Sequence, residues 1–152
     1  MKNLIKFLTI SILLFNVSSC KKEESAPTAT KTEMLTKQPW VINQADFSSG
    51  LTLTVYKKGA TSNVLDASKI SLTFKSDGTI TATDLDGNGV SGSWSFNADE
   101  TKITLPAGLP FTEVVLLTLT ENNFDVSVPS FTATVLGTTA TGTLVVKFIP
   151  KA

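Results

Sequence analysis

From Trp40 onward, apolar and polar residues alternate with a period of two in one short run after another, the spacing of half-buried β-strands. Leu51, Leu53 and Val55 are expected on one face of a run whose other face carries Thr52, Thr54 and Tyr56, with Ser48-Ser49-Gly50 joining it to Trp40–Phe47 as a hairpin. Ile70, Leu72 and Phe74 alternate with Ser71, Thr73 and Lys75, and Thr79–Asp84 returns after Asp77-Gly78, a pair that tolerates positive φ. Gly92, Trp94 and Phe96 share a face opposite Ser91, Ser93 and Ser95, and Asn97–Glu100 turns the chain into Lys102–Leu105. Val114–Leu119 is apolar except at Thr118, which predicts a strand covered on both faces or an element lying against another layer. Phe124, Val126 and Val128 alternate cleanly, and Phe131–Leu136 with Thr141–Ile149 predicts a last hairpin around Gly137–Ala140.

This pattern predicts an all-β domain, an antiparallel up-and-down meander of about 8–10 strands closed into a barrel or folded as a two-layer β-sandwich. Helix is confined to one short N-terminal turn over Thr32–Lys37, with Thr32 as N-cap and Pro39 as the stop. A barrel of about eight strands is just wide enough to be filled by side chains or to hold one small ligand. Trp40, Leu53, Phe74, Trp94, Phe96 and Leu116 are expected to point inward. A connected cavity lined by the tryptophans would favour ligand capture, whereas a filled interior with an apolar surface patch would favour partner docking.

The N-terminus follows a different pattern. Lys2 and Lys6 precede an apolar run from Phe7 to Phe15, and Val17-Ser18-Ser19 places small residues before Cys20, as in a secretory signal. The run falls well short of the roughly 20 residues needed to span a bilayer. Val17-Ser18-Ser19-Cys20 resembles the bacterial lipobox, which implies a signal peptide at 1–19 and acyl chains such as palmitate on Cys20. Residues 20–31 hold no large apolar side chain and are expected to form a flexible tether to a β domain at 32–152. Each buried methylene adds about 0.8 kcal/mol, so several acyl chains would anchor the protein in a membrane essentially permanently. Lys21-Lys22-Glu23-Glu24 is similar to the export signal of Bacteroidetes surface lipoproteins, which implies the outer membrane and its cell-surface face, with periplasmic-facing attachment as the competitor.

Composition narrows the chemistry. All thirteen basic residues are lysine, and loss of Lys2 and Lys6 with the signal leaves eleven against thirteen acidic residues, no footprint for nucleic acid. Without histidine or arginine, the usual proton-transfer group near neutral pH and the bidentate grip on phosphate are both missing. The single cysteine excludes an internal disulfide and a zinc cluster. Asp84-Leu85-Asp86-Gly87-Asn88-Gly89 matches the opening of a calcium loop, but Ser95 stands where the bidentate glutamate belongs, so a plain hairpin turn is expected. Most carboxylates fall in expected turns. Glu113 and Asp125 lie nearer strands, with nothing in the sequence to bring them together. No metal, cofactor or catalytic residue is assigned, and a noncatalytic role is expected.

Leu35-Thr36 before Trp40, then Phe74-Lys75-Ser76-Asp77-Gly78-Thr79, Gly92-Ser93-Trp94-Ser95-Phe96 and Ile103-Thr104-Leu105, resemble the lipocalin-like domains of Bacteroidetes lipoproteins, over about Glu33 to Val128. The resemblance implies a lipocalin-like barrel that binds a small apolar ligand. The competing expectation is a structural or interaction module that docks another envelope protein or a glycan. A monomer is the default state, and no ligand-binding residue is assigned.

Overall fold

The computed structural model describes residues 28–135 and 137–152. The expected signal peptide at 1–19, Cys20 and most of the tether lie outside the described residues.

The chain enters through one short helix, α1 (Lys31–Thr36). Its N-cap is Thr30, two residues before the expected Thr32, because Glu33 stands at the third helical position and closes a capping box. The Thr30 hydroxyl accepts from the Glu33 amide at 3.1 Å, and the Glu33 carboxylate accepts from the Thr30 amide at 2.7 Å. That backbone hydrogen bond, and then the Thr30 hydroxyl, hold the Glu33 carboxyl below its ordinary range.

Ten strands follow among the described residues: β1 (Trp40–Ser49), β2 (Leu51–Lys57), β3 (Ser71–Phe74), β4 (Thr79–Thr83), β5 (Gly89–Ser93), β6 (Ser95–Phe96), β7 (Lys102–Thr104), β8 (Glu113–Leu119), β9 (Phe124–Val135) and β10 (Thr138–Pro150). They form one antiparallel sheet in the order β5-β4-β3-β1-β10-β9-β8-β7-β6, with β2 also on β1, and the sheet curls into a nearly closed barrel. A single curled sheet, with its apolar faces turned onto one core, replaces the two-layer alternative. The two ends of the sheet are consecutive stretches of chain, β5 and β6, separated only by Trp94. At this seam the Trp94 amide donates to the Gly78 carbonyl at 2.8 Å and its indole donates to the Lys75 carbonyl at 3.0 Å.

Three details depart from the sequence pattern. β1 serves two partners on one edge: Trp40 and Val41 pair with β3, whereas Gln44–Ser49 pair with β2. Phe124–Val128 and Phe131–Val135 are one strand, because Pro129 and the positive φ of Ser130 (56°) introduce an irregularity and the chain continues in the same direction. β10 is correspondingly long, and Thr138–Ala140 pair with Ala133–Val135 where a broad turn was expected.

The core forms largely as the alternation predicts. Trp40, Phe74 and Trp94 are buried, and Phe96 and Leu116 are partly buried against them. Leu53 is the exception, at 38% exposed beside Leu51 at 87%. The β1–β2 pairing slips between Ala45 and Asp46, so Val55 and Tyr56 are buried side by side, and Leu51–Thr54 are left exposed. Leu117 is 53% exposed, so β8 is covered on its inner face only.

Candidate functional site

The barrel has two unlike ends. At one end α1 plugs the opening: Leu35 is fully buried and its carbonyl accepts the indole N–H of Trp40 at 2.9 Å. Lys37 pairs with Glu121 at 2.7 Å, and the Lys31 ammonium donates to the Glu100 carbonyl at 2.7 Å, tying the helix to the β8–β9 and β6–β7 turns. Beneath the plug, Trp40 and Phe124 lie 5.6 Å apart, Phe74 and Phe124 5.8 Å, and Phe74 and Trp94 5.2 Å, mostly tilted or edge to face. Both indole donors are satisfied, so this end is packed without a polar defect among the described residues.

The other end is hollow. A cavity of about 310 Å³ opens there, at the lower bound of roughly 300 Å³ typical of small-molecule sites. Its walls are Ala45 and Phe47 from β1, Val55 from β2, Phe131 and Ala133 from β9, and Leu144 and Val146 from β10. Phe148 belongs to both regions, stacking on Phe124 at 5.1 Å while also lining the cavity. Polar residues are few: among the described residues Thr83, Asp84 and Thr134 are the non-apolar members of the lining.

The lip is built by three loops. Residues 58–70 contribute Val64, Leu65, Ala67 and Ile70, the β4–β5 turn contributes Leu85, and residues 105–112 contribute Leu109, Pro110 and Phe111. Side chains hold these loops in place. Asn63 makes a strand-like pair with the backbone of Lys57, its carbonyl accepting at 2.8 Å and its amide donating at 3.2 Å. The Leu65 amide donates to the Val55 carbonyl at 3.0 Å, so Leu65 reaches the cavity although it is 42% exposed. Asp66 accepts from the Ser68 amide at 3.0 Å, and the Ser68 hydrogen bonds hold its carboxyl low. Burial pushes the Tyr56 phenol up, and the Asp66 charge adds to that.

The calcium-like stretch is a hairpin turn. Asp84 Oδ1 accepts from the amides of Asp86 at 2.9 Å and Asn88 at 2.8 Å, and Oδ2 accepts from the Asn88 side chain at 3.1 Å. The Asn88 amide, followed by its side chain, holds the Asp84 carboxyl low. Gly87, at φ 89°, supplies the left-handed position. The Asp84 carboxylate oxygens are thus spent on the turn, and no cluster of potential metal ligands occurs among the described residues.

Glu113 and Asp125 do not converge. Glu113 pairs with Lys102 at 2.9 Å, whereas Asp125 sits opposite Thr118, five residues along β8, a separation of about 17 Å at the usual strand rise. Burial raises the Asp125 carboxyl, and Lys147 offsets part of that effect. Asp46, on the outer face between the cavity-lining Ala45 and Phe47, gathers partners: Thr54 donates at 2.7 Å, Gln44 at 2.8 Å, and Lys147 lies 3.5 Å away.

Cys20, assigned from the sequence as the lipidation site, lies outside the described residues. The tryptophans sit at the packed end, so the cavity is lined by phenylalanines and aliphatic side chains. The lip residues Val64, Leu65, Leu109 and Phe111 were missed by alternation because they stand in loops. Their one sequence signal is the presence of large apolar residues inside Gly- and Pro-containing segments such as Leu105–Phe111.

A ten-stranded antiparallel barrel, plugged at one end and hollow at the other, defines a lipocalin-like protein. The family model described as a C-terminal lipocalin-like domain matches residues 31–142, and the chain belongs to that family. The match extends beyond the expected stretch, Glu33 to Val128, at both ends, taking in most of the β9–β10 hairpin. No curated protein matches the chain.

Proposed function

We propose that this protein is a lipid-anchored envelope lipoprotein of the Bacteroidetes type that binds a small apolar ligand, without catalysis, in the hollow end of its barrel. The observation that carries the reading is the apolar cavity of about 310 Å³, with the 58–70 loop of its lip held by hydrogen bonds, which reduces the ordering cost of binding. A noncatalytic role is supported by the absence of histidine and by carboxylates engaged in turns or surface pairs.

Anchoring would place Cys20 in the outer membrane, facing the cell surface. Both Thr30 and Lys151 lie at the plugged end, where the Lys151 amide donates to the Pro39 carbonyl at 2.8 Å, so a tether leaving there would turn the cavity mouth away from the membrane. The test of binding is titration of the full chain with the neutral fluorophore N-phenylnaphthylamine. A saturable emission increase, abolished by Ala133→Phe in the cavity wall, is expected; no saturable response would count against the reading. The test of anchoring is partition: the wild type should leave membranes only with detergent, and Cys20→Ser should be released without it.

A second reading, docking of another envelope protein or a glycan, is favoured by Leu51 and Leu53 on β2, which has β1 as its one strand partner among the described residues.

A further inference from the structure

We propose that the cavity selects neutral, wholly apolar ligands and rejects anionic amphiphiles such as fatty-acid carboxylates. The inference rests on the binding reading above and specifies its ligand class.

The argument is the charge of the lining. Among the described residues no lysine contributes to it, and the protein has no arginine or histidine to do so. Among the described residues the one ionisable residue in the lining is Asp84, at the lip, whose negative charge opposes a second one. Lys69 is the lysine tied to the same turn, and its ammonium is directed to the Asp86 carbonyl at 3.2 Å, outside the lining. Thr83 is also committed elsewhere, its hydroxyl bonding the Lys69 carbonyl and accepting from the Ser71 amide at 2.9 Å, and the Thr134 hydroxyl pairs with Thr139 at 2.8 Å. Among the described residues no buried polar side-chain atom lacks a partner. A head group entering the cavity would therefore lose its water and find neither a counter-charge nor a free side-chain donor among the described residues, a cost that an uncharged hydrocarbon or aromatic surface does not meet.

The experiment uses a matched pair on the full chain: N-phenylnaphthylamine and its sulfonated relative, anilinonaphthalenesulfonate, which share the ring system and differ by one negative charge. Binding assigned to the cavity is the part removed by Ala133→Phe, whose folding is checked by its thermal unfolding. The neutral probe should bind there at least about tenfold more tightly than the sulfonate. Leu65→Lys, which places an ammonium at the lip, should narrow the gap by strengthening sulfonate binding, and it supplies an independent arm if Ala133→Phe fails to fold. Equal or tighter cavity binding of the sulfonate by the wild type would overturn the selectivity while leaving the binding reading intact. Failure of both probes to show cavity binding would overturn the two together.

Discussion

The plugged and hollow ends are built on the same staves, and they differ in how completely the inward side chains fill the space between them. β1 goes from Trp40 at the packed end to Ala45 and Phe47 in the cavity wall, β9 from Phe124 to Phe131 and Ala133, and β10 from Phe148 to Val146 and Leu144. β4 steps from Ile80 to Ala82. A barrel of given strand number and tilt has a nearly constant radius, so the clustered rings of Trp40, Phe74, Trp94 and Phe124 fill one end, whereas at the other Phe47 and Phe131 share the wall with Ala45, Ala133 and aliphatic groups and space is left. The helix sharpens the contrast, because Leu35 adds a buried side chain at the end that is already full. An interior of this kind keeps its stability at one end and leaves room for a ligand at the other.

The largest expected effect lies in the packed end. Phe124→Ala removes a ring that touches Trp40, Phe74 and Phe148, and should cost about 3–5 kcal/mol in urea unfolding. Phe111→Ala, in the lip of the hollow end, should cost about 1 kcal/mol, since its ring borders empty space and already lacks part of its contacts. Equal losses from the two variants would break the comparison.

Gly142→Ala comes next. A Cβ at this position would collide with the Ser48 backbone carbonyl, which belongs to the paired strand and yields only by separating β1 from β10. A loss of about 1–3 kcal/mol is expected, with faster hydrogen exchange confined to the hollow half of those strands. Uniform loss of protection along both strands would mean that the two ends do not open separately.

The smallest effect is acid sensitivity. Burial opposes the charge on Asp46, but Thr54, Gln44 and Lys147 together hold its carboxyl below the ordinary value of about 3.9. Its folded value being lower than its unfolded one, Asp46 contributes stability above about pH 4, and that stability is lost as pH falls through the folded value. Asp125 has the opposite sign: its raised carboxyl opposes folding at neutral pH, and protonation in the folded state relieves the cost as pH falls. Asp46→Asn should therefore flatten the acid limb of the stability curve, measured by urea midpoints between neutrality and pH 3. Asp125→Asn should leave neutral stability unchanged or raise it by up to about 0.5 kcal/mol. A steeper acid limb in Asp46→Asn would remove Asp46 as a tie on the hollow end's outer wall.

Much of the fold was legible because it rests on local rules. The Asp77-Gly78 turn is read from residue chemistry, and the structure closes it with Asp77 Oδ1 accepting from the Thr79 amide at 2.8 Å and Gly78 at φ 82°. The inward sets Leu72/Phe74 and Phe124/Val126/Val128 follow from period two. Leu53 has the same period and lies outside, because alternation assigns a face and does not say where the barrel wall ends. The cavity was open as a question and unreadable as a place: its lining comes from loops whose apolar residues carry no period.

The sequence alone determined the strand content, the turns and the inward-facing aromatics of an all-β domain, since each depends on neighbours a few residues away. Only the tertiary structure decided that β1 pairs with β2, β3 and β10, that the aromatic ends of four staves meet under one helix, and that a cavity is left at the other end. Those outcomes depend on strand register and on which side chains from distant segments arrive at the same height, quantities that sum over the whole closed sheet.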